Sequence, residues 1–333
     1  MKKLPEVILS TLVIVIYLIS YLVIYPVAKA KPQLSKSFRP YWVETLFQFE
    51  NYYSTGNYNT SGKAVNLPSS NSFWASTGFD FAGRYVFSHR LAATTSLNHI
   101  SAQANQATIT RYNSGFQTLK GGIEYKIPTS YADYVAEGVI QLSLYKPNEN
   151  TDLPLYGDGA QALGGNFSIL QKFNALYWHG KAGLLFRSDG LSSLFPYQIG
   201  LHWKINSWTF SSVLEGAWSI SPDTIGDTKR TNYLRRSNAG SMIYRSANPN
   251  SNFLDFQLKY DVTNQFGFNG GIGSSLFGRN SSNGNRYYVG IDIHWQPILT
   301  PSSKTPLKNT MPSMSSDHDE GDLDNTESTP FSL

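Results

Sequence analysis

His99 and Ser101 lie two positions apart within residues 90–103, a spacing that puts both side chains on one face of an extended strand. An imidazole beside a hydroxyl is the start of a base–nucleophile pair, provided a third group orients the ring. Asn98, Asn105 and Glu124 are the candidates for that third role. Other catalytic patterns are missing: there is no Gly-x-Ser-x-Gly elbow, no phosphate-cradling glycine loop and no metal-ligand cluster. With no cysteine, disulfides and thiolate metal sites are also excluded. No cofactor or metal is therefore expected.

The remaining chemistry is charge. Glu44, Glu50, Asp80, Arg84, Lys120, Glu124, Lys181, Arg187, His202, Lys204, Glu215, Asp255, Lys259 and Asp292 all alternate with apolar neighbours, as do Gln48, Glu137, Gln141 and His294. Side chains at alternate positions share a face, so these form one polar surface carrying both signs. Such a surface either lines a selective passage or pairs across it and fills it. A second group is confined to residues 221–250, where Lys229, Arg230, Arg235, Arg236 and Arg245 outnumber Asp223 and Asp227. Arginine forks suit phosphate and carboxylate. This stretch reads as an anion- or lipid-contacting loop, or as a mobile basic loop with no ligand.

The elements that must position these groups are strands. Leu254, Phe256, Leu258, Tyr260 and Val262 alternate with Asp255, Gln257, Lys259 and Asp261, and residues 197–205 and 285–295 repeat the pattern. Twelve such segments are expected, near 41–53, 74–87, 90–103, 114–127, 133–146, 163–172, 175–187, 196–205, 208–220, 251–262, 265–277 and 285–295. Each has the length that a tilted strand needs to cross hydrocarbon. Aromatic residues sit at the segment ends, among them Trp42, Tyr52, Trp74, Phe87, Trp208, Trp218, Phe253 and Trp295. Tyr and Trp favour the membrane–water boundary, so two girdles are expected. Short linkers alternate with longer ones at 54–73, 104–113, 147–162, 188–195, 221–250 and 278–284. The fold class is all-β: a transmembrane antiparallel up-and-down β-barrel of about twelve strands, closed so that no backbone group is left unpaired in lipid. In that frame Leu91 and Leu97 set a phase that turns His99 and Ser101 towards lipid. Gly121-Gly122 and Gly270-Gly271 fall inside strands, where they allow curvature or close packing.

Tyr288-x-Gly290-x-x-Ile293-x-Trp295 resembles the assembly signature on the last strand of bacterial outer-membrane barrels; there it usually ends the chain, whereas 38 residues follow it here. The resemblance implies the outer membrane of a Gram-negative bacterium, recognition by the barrel-assembly machinery, and contact with outer-membrane lipids and lipopolysaccharide. His99-Ile100-Ser101 also looks like the lipid-facing His-x-Ser pair of outer-membrane phospholipases and lipid A deacylases. In the deacylases an Asn usually follows the Ser, and Ala102-Gln103 follows here.

The whole chain has 333 residues, 14% aromatic and 15% charged, with 27 glycines and 21 tyrosines. That mix suits many strands with aromatic ends better than a helical enzyme. Residues 1–30 read as a signal peptide: Met1-Lys2-Lys3, an apolar run Val7–Tyr25, and Ala28-Lys29-Ala30 with cleavage after Ala30. An uncleaved membrane helix competes with that reading. Residues 31–40 form a short periplasmic leader, 41–296 the barrel, and 297–333 a disordered acidic periplasmic tail. The tail's Asp317, Asp319, Glu320, Asp322, Asp324 and Glu327 do not meet EF-hand spacing. Residues 31–296 hold 22 of the 27 basic residues and 16 of the 23 acidic ones. This modest excess suits anionic headgroups and argues against nucleic acid. The leading expectation is a passive channel for a small solute. The alternatives are a lipid hydrolase using His99 and Ser101, and a surface or structural barrel.

Overall fold

The dyad pattern becomes strand wherever it occurs. The computed structural model describes residues 38–69, 71–129, 132–148 and 151–295. The signal-peptide segment 1–30, leader residues 31–37 and the acidic tail 297–333 lie outside the described residues. Twelve long strands form the barrel: β1 (Val43–Tyr58), β3 (Phe73–Val86), β4 (Leu91–Gln106), β5 (Ile109–Ile127), β6 (Asp133–Ser143), β7 (Ala162–Phe173), β8 (Leu176–Arg187), β9 (Leu194–Ile205), β10 (Trp208–Ser219), β11 (Asn250–Asp261), β12 (Phe266–Arg279) and β13 (Ser281–Trp295). A short strand, β2 (Ala64–Asn66), pairs with the far end of β1. Consecutive strands run antiparallel, and β13 returns to β1 in a register from Val43↔Trp295 to Tyr58↔Ser281. The sheet therefore has no edge within its span, as a lipid environment demands.

All twelve expected segments are present, with ends displaced by a few residues. Two linkers expected to be long are instead strand. β4 and β5 continue to a tight turn at Ala107 (φ 57°), and β12 and β13 meet at Asn280 (φ 49°). Beyond the hydrocarbon an outward side chain need not be apolar, so Asn105 and Thr110 break the dyad pattern while the backbone ladder goes on. At the opposite end the turns are short, as at Asn174 (φ 54°) and Asn206 (φ 53°), where asparagine accepts the left-handed conformation of a two-residue hairpin. This turn end also carries both ends of the barrel, at Val43 and Trp295.

One face of the sheet is continuously apolar and uncovered: Phe256 and Ile123 are each 55% exposed and Val289 62%. In water so wide an apolar belt would drive aggregation; against acyl chains it costs nothing. Trp203, Trp208, Tyr260 and Trp295 border the belt at the turn end, and Tyr53, Tyr112, Trp218 and Tyr287 at the loop end. Trp42, Tyr52, Trp74 and Phe253 do not join these girdles. They share the phase of the polar residues and point inward; Trp74 is 1% exposed.

The inside has no single core. One buried cluster (Tyr52, Trp74, Ala102, Ala104, Ala239) fills the loop end and another (Phe38, Val86, Ala92) the turn end, and between them the lumen is polar.

Candidate functional site: the lumen

The fourteen residues singled out for a polar face all stand on the face opposite the apolar belt, with strand register fixing each one. Their ion pairs run along the wall. Arg84 on β3 reaches Glu124 on β5 at 2.6 Å and Glu44 on β1 at 3.3 Å. Lys181 on β8 meets Glu137 on β6 at 2.7 Å, Lys259 on β11 meets Asp292 on β13 at 3.2 Å, and Lys204 meets Asp261 at 2.9 Å. Diametrically opposed strands in a twelve-stranded ring are six apart, whereas these partners are neighbours or next-but-one. Wall-hugging pairs satisfy the charges without crossing the passage. A cavity of about 410 Å³ remains, lined by Glu44, Arg84, Lys120, Glu137, Asp292 and His294 together with small residues such as Ala82 and Ser96.

Arg286, which sequence reasoning passed over, is the hub of the middle level. Its Nε donates to Asp255 at 2.8 Å, and its Nη2 contacts both Asp255 and Glu215. Asp255 is fully buried. The phase of Tyr288 and Gly290 on the same strand was the available signal for Arg286. A hydrogen-bonded chain runs on from Glu215. Gln198 Nε2 donates to Glu215 at 3.1 Å, which turns the Gln198 oxygen towards His179 Nε2 at 3.0 Å. His179 therefore carries its proton on Nε2, and its Nδ1 accepts from His202 Nε2 at 2.6 Å. His202 Nδ1 in turn accepts from the Ser211 hydroxyl at 2.7 Å. Gly200 lies beneath the His179 ring, where a Cβ would come within 2.3 Å of Cε1.

The loop end is stoppered. Between β10 and β11 the chain forms a short helix α1 (Asp227–Asn232) and a π-turn (Tyr233–Ser237), then folds back into the barrel. Ile243 and Tyr244 pack against Tyr52, Trp74 and the alanines of β4. Asn57 clamps the inserted segment: its Nδ2 donates to the Gly240 carbonyl and its Oδ1 accepts from the Met242 N–H, both at 2.8 Å. Asn238 Oδ1 accepts from the Leu155 N–H at 3.0 Å, and Gln117 donates to the Tyr244 hydroxyl at 3.2 Å. Burial pushes the hydroxyls of Tyr244 and Tyr145 above the ordinary tyrosine range, so both stay neutral. The uncharged run from Ser237 to Tyr244 was the sequence signal for this insertion.

The five basic residues of this loop separate. Lys229 and Arg235 are exposed, whereas Arg236 pairs with Asp152 at 3.0 Å and Arg230 with Asp223 at 3.3 Å. Arg245 is buried, donates to the Asp158 carbonyl at 2.7 Å and stacks over Tyr233. At the turn end Phe38 packs on Val86 and Ala92, with the Arg84 guanidinium 4.6 Å from its ring centre.

His99 and Ser101 lie on the apolar face. His99 sits edge-on to Phe116, with ring centres 5.3 Å apart, and Ser101 is flanked by Thr77 and Ser114. No hydrogen bond joins them among the described residues. Of the candidate third groups, Asn98 and Glu124 are on the opposite face, bound to Asp80 and Arg84, and Asn105 donates to the Asn71 carbonyl. The pair is not assembled as a catalytic unit.

No protein-family model and no curated protein sequence matches the chain. Among solved structures, the COG4313 outer membrane channel from Pseudomonas putida F1 superposes with a TM-score of 0.60 at 10% identity, covering 80% of this chain and 100% of that one. The NanC porin gives 0.44 at 12% identity, with 74% and 98% covered; the KdgM porin gives 0.42 at 7%, with 76% and 98% covered. Closed ring, two girdles, apolar exterior and this superposition agree: the chain has the fold of the twelve-stranded outer-membrane β-barrels.

Proposed function

We propose that the protein is a passive channel through the outer membrane of a Gram-negative bacterium, for a small solute, held in a closed state. One observation carries the reading: the charged residues pair along the wall and leave a cavity of about 410 Å³ between two separate stoppers. A barrel serving only as a scaffold has no need of a polar hollow along its axis. Glu44, Arg84, Lys120, Glu137, Asp292 and their neighbours line the route, and the Ser237–Tyr244 insertion sets its outer limit. The exposed Lys229 and Arg235 suit the phosphates of lipopolysaccharide. Tyr288, Gly290, Ile293 and Trp295 suit recognition by the barrel-assembly machinery, after export directed by residues 1–30 and cleavage behind Ala30. Planar-bilayer recording of the full chain, beside a variant with residues 239–245 replaced by Gly-Ser, tests the proposal. Rare brief openings in the parent and sustained conductance in the variant are expected; silence in both would overturn it.

A further inference from the structure

The cavity of about 410 Å³ lies along two adjoining rungs of the lumen wall. One rung runs Leu46–Ala82–Ser96–Lys120–Gln141 across β1, β3, β4, β5 and β6, each residue the direct cross-strand partner of the next. The other, nearer the turn end, runs Glu44–Arg84–Thr94–Gly122–Val139 over the same strands. Small residues make the room, with Ala82, Ser96 and Gly122 on three successive strands. The Thr94 hydroxyl lies over Gly122, where a Cβ would come within 2.6 Å of it. Leu46, Ala82 and Val139 are apolar yet line this hollow, which neither the lipid outside nor water inside requires. The volume falls in the range of small-molecule sites, about 300–1,000 Å³.

The charges lining the cavity are unequally committed. Each carboxylate has a cation on the wall: Glu44 shares Arg84 with Glu124, Glu137 holds Lys181 at 2.7 Å, and Asp292 holds Lys259 at 3.2 Å. Lys120 differs. It is exposed to the lumen, and its ammonium makes no ion pair or hydrogen bond among the described residues. Asp80 stands within electrostatic reach of it and is bound by Asn98 instead. Around Lys120, the hydroxyls of Thr94 and Ser96 and the carboxamide of Gln141 likewise have no side-chain hydrogen bond among the described residues. An ammonium offers three donors and no acceptor, so the free groups on this side of the cavity together favour an anionic oxygen.

We propose that this cavity is a subsite for a small monocarboxylate with a compact apolar body, such as an aromatic acid. The carboxylate accepts from the Lys120 ammonium and from the Thr94 and Ser96 hydroxyls, and the body lies against Leu46, Ala82 and Val139. This deepens the channel reading by naming its solute class and rests on it for biological sense, although binding is measurable without conduction.

The test is calorimetric titration of the detergent-solubilised full chain with benzoate, with uncharged benzyl alcohol and with cationic benzylamine, three probes of nearly one shape. Saturable binding of benzoate is expected, weakened about tenfold by Lys120→Met, as loss of one charge-assisted contact predicts. Lys120→Arg, which keeps the charge, should retain most of it. Ala82→Phe, which fills the hollow and leaves Lys120 in place, should weaken it as much as Lys120→Met. Lys63→Gln, at an exposed loop tip, should leave it unchanged. Heat-modifiable gel migration confirms that each variant is folded. Absence of saturable heat, binding of benzyl alcohol or benzylamine as tight as that of benzoate, or parental affinity in folded Lys120→Met or Ala82→Phe protein would each overturn the proposal. Benzoate binding by a protein that never conducts would leave the subsite standing and remove the channel. Conductance without benzoate binding would do the reverse.

Discussion

Arg286 on β13 and Glu215 on β10 are in contact although two strands stand between them, and Asp255 on β11 is held in the same grip. A guanidinium that bridges so much of the wall acts as a strut. Arg286→Met removes the strut and leaves Asp255 charged and fully buried. Stripping one partner from a buried pair costs about 3 kcal/mol or more. The expected result is a clear drop in the urea midpoint for unfolding from detergent, and Asp255→Asn in the same background should recover much of the loss.

Tyr244 holds the inserted loop edge-to-face against Trp74, with ring centres 5.8 Å apart. Tyr244→Ala should raise the open fraction in bilayer recordings several-fold while the barrel's melting behaviour stays nearly unchanged. Asn57→Ala, which removes two hydrogen bonds to the loop backbone, should act in the same direction and leave strand content untouched by circular dichroism.

Phe38 closes the other end through an apolar contact and a cation over its ring. Phe38→Ala forfeits most of that docking, as large-to-alanine changes in packed sites do. The chain at residues 38–41 should become cleavable by proteinase K added from the turn side in oriented liposomes, at doses that spare this stretch in the parent protein.

Gly273 faces the Asp255 carboxylate so closely that a Cβ there would fall 1.9 Å from Oδ1. Gly273→Ala must displace Asp255 or Arg286, and a lower yield of heat-modifiable, correctly inserted barrel is expected. Gly121→Ala, with nothing within 4 Å, is the matched substitution that should assemble normally.

Ser101→Ala should leave conductance and stability unaltered, and the parent protein should release no fatty acid from phospholipid vesicles. A release that disappears with this substitution would restore the hydrolase alternative.

The barrel was legible because lipid outside and polar groups inside force one residue type at each alternate position over ten or more residues. Register followed, since a one-residue slip would turn Leu258 inward and Lys259 into oil. Three things were not legible. Tyr52 and Trp74 are aromatic residues near strand ends, and composition alone cannot tell a girdle ring from an inward one; only their phase, shared with Gln48 and Glu50, separates them. The inserted loop was hidden because five basic residues stand out beside the neutral run Ser237–Tyr244, whose burial depends on Asn57 at the far end of β1 and on Leu155 from a distant loop. The direction of the ion pairs, along the wall instead of across it, depends on strand tilt and side-chain reach, which no periodicity encodes.

The meeting of β1 and β13 places Val43 opposite Trp295, so the beginning and the end of the ring are already neighbours. Position along the chain is then arbitrary as far as the ring is concerned. A circularly permuted protein, spliced across that seam by a short linker and opened instead at Asn206-Ser207, keeps every backbone ladder and shifts the last-formed strand pair to β9 and β10. Its assembly rate, compared with that of the natural order, would separate what the closed architecture needs from what the order of synthesis contributes.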